Sequence, residues 1–306
     1  MRDLDLTSLR LFAAVCETRN IARAAEQHAI VGSAISKRLA ALEDTVGTPL
    51  LVRRRRGVEP TPAGEALLEH TRALLAGHER IARDMAAFAA GVRGQVRILA
   101  TASAIAESLA DDVAAFLKKP GHRDIRVDIE ERVSTGVISG LREGVASVGI
   151  CWDAADFTGL RTRPWRSDHL AVVMPAGHPL AAHASLFLAQ TLDEEHVSLP
   201  PSSAVQLMLQ RAAARSGHIL RYRVVVATFD AALRVVRAGL AISVLPAELA
   251  RPYAEAFGLR VVPLADDWAR RRFAISTRDE STLSPAASLL VEHLVASGRQ
   301  ESTSSA

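Results

Sequence analysis

The run LRLFAAVCETRNIARAAEQHAIVGSAISKRLAALEDTVGTPLLVRRRRGVEPTPAGEALL, residues 9–68, decides how the chain is read. Its first part, with the preceding Thr7 and Ser8, places Leu9, Phe12 and Cys16 at helical spacing, with Leu11 and Val15 beside them. That pattern predicts an amphipathic helix. Asn20 is suited to cap a second helix, IARAAEQ, whose alanines let another helix come close. The break HAIVG precedes a third helix, SAISKRLAALEDTV, with Ile35, Leu39, Leu42 and Val46 as its apolar stripe and Gly47 as its stop.

Three short helices with a tight break between the second and third describe a helix-turn-helix. In such a pair the second helix lies in the major groove and offers its first residues to base edges. Here these are Ser33, Ala34, Ser36, Lys37 and Arg38: small side chains, then hydroxyls, then long cations for phosphates. Asn20 joins this candidate DNA-facing set. The next stretch, TPLLVRRRRGVEPTP, predicts two short strands, Leu50–Arg53 and Val58–Pro60, around a basic tip. A basic hairpin beside a recognition helix is a wing, with Arg53, Arg54, Arg55 and Arg56 placed to meet the DNA backbone or minor groove.

Charge placement points the same way. The net charge is +3, and residues 1–95 hold 14 Lys/Arg against 11 Asp/Glu, whereas the remainder is balanced. Local basic excess is the footprint of a phosphate-binding face. Beyond the wing, Thr61-Pro62 starts a longer helix, Thr as cap and Pro in the first turn. Within it Leu67, Leu74, Ile81 and Phe88 recur every seven residues, with Met85 four residues after Ile81. Seven-residue recurrence marks a helix–helix seam, and self-association suits a reader of two half-sites.

At this point the resemblance is specific. LRLF, ARAAE, SAISKRLAALE, G-x-PLL, the Arg-Gly wing and TPAGEALL follow in order, and the stretch resembles the winged helix-turn-helix of LysR-type transcriptional regulators. The likeness is close over about the first ninety residues and looser beyond. One departure stands out: the family usually opens its recognition helix with a Ser-Gln-Pro-like stretch, and here Val31, Gly32 and Ser33 stand there. A common adenine-reading amide is thereby missing, and the half-site preference is left open.

After Gly91 and Gly94 the pattern becomes alternating strands and helices, from QVRILAT (95–101) to RFAIST (272–277). Repeated βα units predict an α/β architecture with mainly parallel sheets. The resemblance implies more: a sensing region similar to type 2 periplasmic binding proteins, two α/β lobes crossed twice by the chain around a ligand cleft. The expected organisation is a winged helix-turn-helix at 1–61, a linker and dimerisation helix at 62–92, an effector-binding domain at 95–300 and a disordered tail at 301–306. Lobe I is expected at 95–162 and 266–300 and lobe II at 163–265, with crossings near Thr162–Pro164 and Pro263–Asp266.

Such a cleft is lined by loops at the carboxyl ends of strands, where helix N-termini point inward. Those loops read Thr101-Ala102-Ser103, Ser134-Thr135, Ser202-Ser203 and Thr228-Phe229-Asp230. Hydroxyls and free backbone N–H groups suit a small carboxylate, and each is equally what an ordinary helix cap needs. Asp230 fits an anion poorly and reads as a cap or as an acceptor that binds a donor.

No cofactor or metal is expected. Cys16 and Cys151 are far apart and lack metal-ligand spacing, and HPLAAH (178–183) lacks a third ligand. GxGxxG, GxxxxGK, GxSxG and HExxH are all missing, which weighs against an α/β enzyme. No apolar run approaches the roughly 18 residues of a membrane span, and the opening MRDLDLTSLR is unlike a signal peptide, so the expected location is the cytoplasm. The reading is a ligand-responsive transcription factor, whose partners are double-stranded DNA, a small organic effector, other copies of itself and RNA polymerase. An effector-blind DNA-binding dimer is the alternative.

Overall fold

The computed structural model describes residues 4–54, 57–89 and 94–304. The chain divides into two compact units, one holding most of the first ninety residues and the other most of the rest.

The first unit opens with α1 (Leu6–Thr18), capped by the Asp5 carboxylate, which accepts from the backbone N–H groups of Thr7 and Ser8. Asn20 caps α2 (Ile21–Gln27), and α3 (Gly32–Val46) ends at Gly47, whose positive φ of 75° is the left-handed stop that glycine allows. The inward faces of these helices bury Leu9, Phe12, Val15, Ala24, Ile35 and Leu39 in one core. Strands β1 (Leu51–Arg54) and β2 (Gly57–Pro60) pair antiparallel as a hairpin, and Leu50 and Val58 complete the core. Gly57 is required by contact as well as by conformation. Its φ is 121°, and a Cβ there would lie 2.3 Å from the Arg19 carbonyl oxygen.

Helix α4 (Pro62–Ala89) begins at Thr61, whose hydroxyl accepts from the Gly64 N–H and donates to the Pro49 carbonyl. Its start is thereby tied to the base of the wing.

The second unit is built on a seven-stranded sheet that serves both lobes. In lobe I, β3 (Gly94–Ala100) lies parallel between β4 (Ile125–Glu131) and β5 (Val148–Trp152). The long strand β6 (Arg161–Pro175) then leaves lobe I, and β11 (Arg270–Thr277) returns antiparallel to it. In lobe II, β6 pairs antiparallel with β9 (Ser243–Pro246) and β10 (Leu259–Pro263). A parallel pair, β7 (Glu195–Ser198) with β8 (Arg221–Val225), completes that lobe.

The arrangement is therefore mixed rather than mainly parallel. The strands that carry the chain out and back must oppose one another, and each drags antiparallel neighbours into its lobe. The first crossing also lies later than Thr162–Pro164. β6 is uninterrupted there, and its partners change from β11 to β9 and β10 between His169 and Leu170.

Lobe I carries α5 (Ala102–Ala104), α6 (Ala110–Leu117) and α7 (Ser134–Arg142), and lobe II carries α8 (Ala204–Arg215), α9 (Phe229–Arg237) and α10 (Ala247–Phe257). Each lobe has its own core: Ile98, Phe116, Ile150 and Leu290 in lobe I, and Val172, Leu209, Leu233 and Leu245 in lobe II. Helix α11 (Pro285–Ser304) packs on lobe I and continues to Ser304, into the segment expected to be a disordered tail at 301–306. Arg299, Gln300 and Glu301 are good helix formers and no proline follows them, so nothing stops the helix before Ser304. Residues 305–306 lie outside the described residues.

Candidate functional site

In the first unit, burial of Ile35 and Leu39 fixes the rotation of α3. Ser33, Lys37 and Arg38 consequently face outward, with Ala34 and Ser36 half-buried beside them. The cap residue of α3 is Val31, which offers no side-chain hydrogen bond to the first turn. Orphan N–H groups at an exposed helix start favour an anion such as a DNA phosphate. Sequence reasoning did not single out Ile30 and Val31 as exposed apolar side chains beside this edge. A methyl-bearing surface here is suited to contact a thymine methyl.

Some expected contacts are partly engaged. Asn20 Oδ1 accepts from the N–H groups of Ala22 and Arg23, so its acceptor serves the fold. Arg38 pairs with Asp5 at 3.0 Å and Arg54 with Glu59 at 3.0 Å, both in exposed positions where such pairs are weak and exchange readily with other anions. Arg53 sits in β1 opposite Val58. Its side chain, and the whole of Arg55 and Arg56, lie outside the described residues.

The seven-residue series on α4 divides in two. Leu67 is half-buried against the first unit's own core, and Thr71 is buried with its hydroxyl unpartnered among the described residues. Leu74, Ile81 and Met85 are instead 48, 63 and 57 % exposed. The Phe88 side chain lies outside the described residues.

In the second unit, a cavity of about 320 Å³ lies between the lobes. Lobe I contributes Thr101, Ala102, Ser103 and Ser134, and lobe II contributes Ser202, Ser203, Thr228 and Phe229. These eight came from four separate strand-end loops in the sequence. Thr135 is exposed and does not line the cavity, because one further helical residue turns it away from Ser134.

Their local roles differ. Ser203 caps α8 (Ala204–Arg215) by accepting from the Gln206 N–H, and Thr228 caps α9 (Phe229–Arg237) by accepting from the Ala231 N–H. Ser103 is no cap: it is buried in the first turn of the helix α5 (Ala102–Ala104), which runs into a π-helical turn, Ile105–Leu109. The hydroxyls of Thr101 and Ser134 are buried without a hydrogen-bond partner among the described residues. A buried hydroxyl left unmade costs about 1–3 kcal/mol, which a ligand's acceptor would recover.

Sequence reasoning missed the rest of the wall. Ile105, Ala106, Val133, Leu199, Val205 and Ala227 make it predominantly apolar. Arg132 is the cation of the lining, and its Nε donates to Glu130 at 2.7 Å. Hydrogen bonds from Arg97 and Arg132 hold the Glu130 carboxyl below the usual carboxylate range. Asp230 stays out of the cavity and pairs with Arg234 one turn on.

The thiols take no part. Burial pushes Cys16 up to about 11 and Cys151 up to about 12. His178 accepts from the Leu180 N–H and faces Glu194 at 3.6 Å, and among the described residues no group of three metal-ligating side chains occurs. No described helix is long and apolar enough to cross a membrane.

Comparison with known proteins bears on both units. Residues 6–65 match the family model of bacterial regulatory helix-turn-helix proteins, lysR family, and residues 89–299 match that of the LysR substrate binding domain. A probable HTH-type transcriptional regulator, LrrA of Synechococcus elongatus, is 32 % identical over 185 residues, 58 % of this chain and 60 % of that protein. The match therefore spans less than two thirds of that relative's length. An uncharacterized HTH-type transcriptional regulator, YnfL of Escherichia coli, is 28 % identical over 96 % of this chain and 98 % of its own. Among solved structures, the fold matches CbnR, a LysR family transcriptional regulator, with a TM-score of 0.65 at 24 % identity, covering 96 % of this chain and 99 % of that one. CbnR complexed with its target DNA matches with a TM-score of 0.64, again at 24 % identity and over 96 % of this chain and 100 % of that one.

Proposed function

The chain belongs to the LysR-type transcriptional regulators, a family of DNA-binding proteins with an effector domain and not of enzymes, and on that premise we propose how its own residues perform the task. Helix α3 enters the major groove with Ser33, Ser36 and Lys37 at base edges, while Arg38 and the wing arginines 53–56 hold phosphates. The exposed Leu74, Ile81 and Met85 stripe of α4 joins two copies, which sets two recognition helices against two half-sites. The work is done in the cytoplasm, where RNA polymerase is the further partner at the promoter.

The effector is a small organic carboxylate bound between the lobes. The observation that carries this reading is the convergence of four strand-end loops from two lobes on one cavity, which holds two capped helix starts and two hydroxyls without a partner among the described residues. A carboxylate accepts from hydroxyls and from first-turn N–H groups, while the apolar wall covers its carbon skeleton. Because both lobes touch the ligand, its binding energy biases their arrangement, and a coupling of about 1–3 kcal/mol changes DNA affinity some 5–150-fold.

The test is binding of the purified protein to the DNA upstream of its own gene, across salt and with candidate carboxylates. Sequence-selective binding, falling with a slope of roughly −0.9 per phosphate contacted, supports the DNA assignment. A carboxylate that raises the melting temperature and alters DNA affinity supports the cleft assignment. Binding no tighter than to random DNA, from folded protein at low salt, refutes the first. Binding indifferent to every carboxylate that stabilises the protein refutes the second.

A further inference from the structure

A second cavity, of about 310 Å³, lies in the second unit and shares no lining residue with the cleft. Its lining includes Trp152, at the end of β5, and Trp268, in the turn before β11. Both are partly buried against the core of lobe II. The Trp268 N–H donates to Asp266 at 3.2 Å, so its donor is already engaged.

The remaining chemistry is cationic. Arg211 and Arg215 lie one turn apart on α8, and Arg270 and Arg272 alternate on β11; all four line the cavity and are exposed. One carboxylate, Asp153, stands among them, and it is held by Arg272 Nε at 2.9 Å. Arg211, Arg215 and Arg270 form no ion pair among the described residues. Like charges at i and i+4 on a helix repel, and adding a third guanidinium raises the potential further. Such an excess around two ordered indoles is complementary to a flat ring bearing negative charge: guanidinium forks bind oxyanions in pairs, and indole faces stack on rings.

We propose that this cavity is a second small-molecule site, for a flat aromatic dianion. The occupant touches Trp152 and Asp153 of lobe I, α8 of lobe II and the returning strand β11, and so bridges the lobes at a place separate from the cleft. Its volume suits a molecule of mononucleotide or aromatic dicarboxylate size. The site rests on its own residues and stands or falls apart from the effector reading above.

Two of the three tryptophans line the cavity, and the third, Trp165, is 5 % exposed in the core of lobe I, so indole fluorescence of the full chain reports occupancy. The probes are AMP and benzene-1,3-dicarboxylate as aromatic dianions, adenosine as a ring without charge and inorganic phosphate as charge without a ring. At least one dianion is expected to quench saturably, with adenosine and phosphate about tenfold or more weaker. Quenching by AMP alone identifies a phosphate ligand, and quenching by the dicarboxylate alone a carboxylate one. The R211Q/R215Q double variant, at exposed helix positions, should weaken binding about tenfold or more at an unchanged melting temperature, and Thr101→Val in the cleft should leave it intact. Failure of both dianions, phosphate binding as tightly as they do, or affinity lost in Thr101→Val but kept in R211Q/R215Q overturns the proposal.

Discussion

Replacing Arg271 with Met removes the counter-ion of a carboxylate that solvent does not reach. Arg271 and Asp168 face each other across β11 and β6, both side chains 0 % exposed, with Arg271 Nε donating to Asp168 Oδ1 at 2.8 Å and Nη2 to Oδ2. Asp168 also feels the Glu248 carboxylate, and burial already pushes its pKa up against the pull of Arg271. A pair this deep adds little net stability over an apolar pair, but removing one partner leaves a bare buried charge and costs about 3–5 kcal/mol. At a urea dependence of roughly 2–3 kcal/mol/M, the unfolding midpoint of the second unit should fall by about 1–2.5 M.

The sign of the pH dependence is a second check. Without Arg271 the Asp168 pKa rises further above its unfolded value near 3.8. The folded variant then binds more protons than the unfolded chain, so its stability falls as pH rises from 3.8 through the folded pKa. Adding Asp168→Leu should restore most of the loss, since volume is kept and no charge is stranded. The measurements are urea unfolding of the single and double variants at several pH values. A single variant within about 1 kcal/mol of the parent, or a double variant no better than the single, refutes the reasoning.

Gly57→Ala sets a Cβ 2.3 Å from the Arg19 carbonyl oxygen and forces a positive φ on alanine. A loss of about 2–4 kcal/mol in the first unit, with weaker binding to every DNA sequence, should appear in thermal melts and binding curves. His196 is buried, donates from Nε2 to the Thr191 carbonyl at 2.9 Å, and is held below its ordinary pKa of 6.5 by burial. The unfolded chain thus takes up a proton that the folded one refuses, and stability should decline as pH falls below about 6.5 towards the lowered folded value. His196→Gln should flatten that decline; an unchanged slope counts against it. Leu74→Glu with Ile81→Glu should dissociate the oligomer in sedimentation experiments without lowering the melting temperature of the first unit, since both side chains are exposed.

The first unit was legible because each of its boundaries has a local signal. Asn20 caps, Gly47 stops, and Thr61-Pro62 starts, each through a bond or dihedral within a few residues. The cleft was legible only in part. Ser203 and Thr228 announce themselves as caps, whereas Ile105, Val133 and Leu199 are apolar residues whose exposure to a cavity no periodicity reveals. Ser103 read as a cap because serine usually is one, but the chain turns helical one residue earlier at Ala102. The crossing in β6 falls within an uninterrupted strand, so its position depends on which strands lie alongside. Arg271 is one of three consecutive arginines in the sequence, and its depth follows from the register of β11 against β6.

That register has a mechanical consequence. The strand leaving lobe I and the strand returning are hydrogen-bonded to each other from Arg161–Thr277 to His169–Arg270, and β6 continues unbroken into lobe II. A two-stranded ribbon of this kind resists bending in its plane but yields to torsion, as its natural twist shows. Lobe rearrangement is thereby steered toward rotation about the ribbon's long axis, with the Arg271–Asp168 pair as a rivet near its lobe II end. A ligand-driven change would then reach the rest of the molecule as a twist of one lobe against the other rather than as the swing of a jaw.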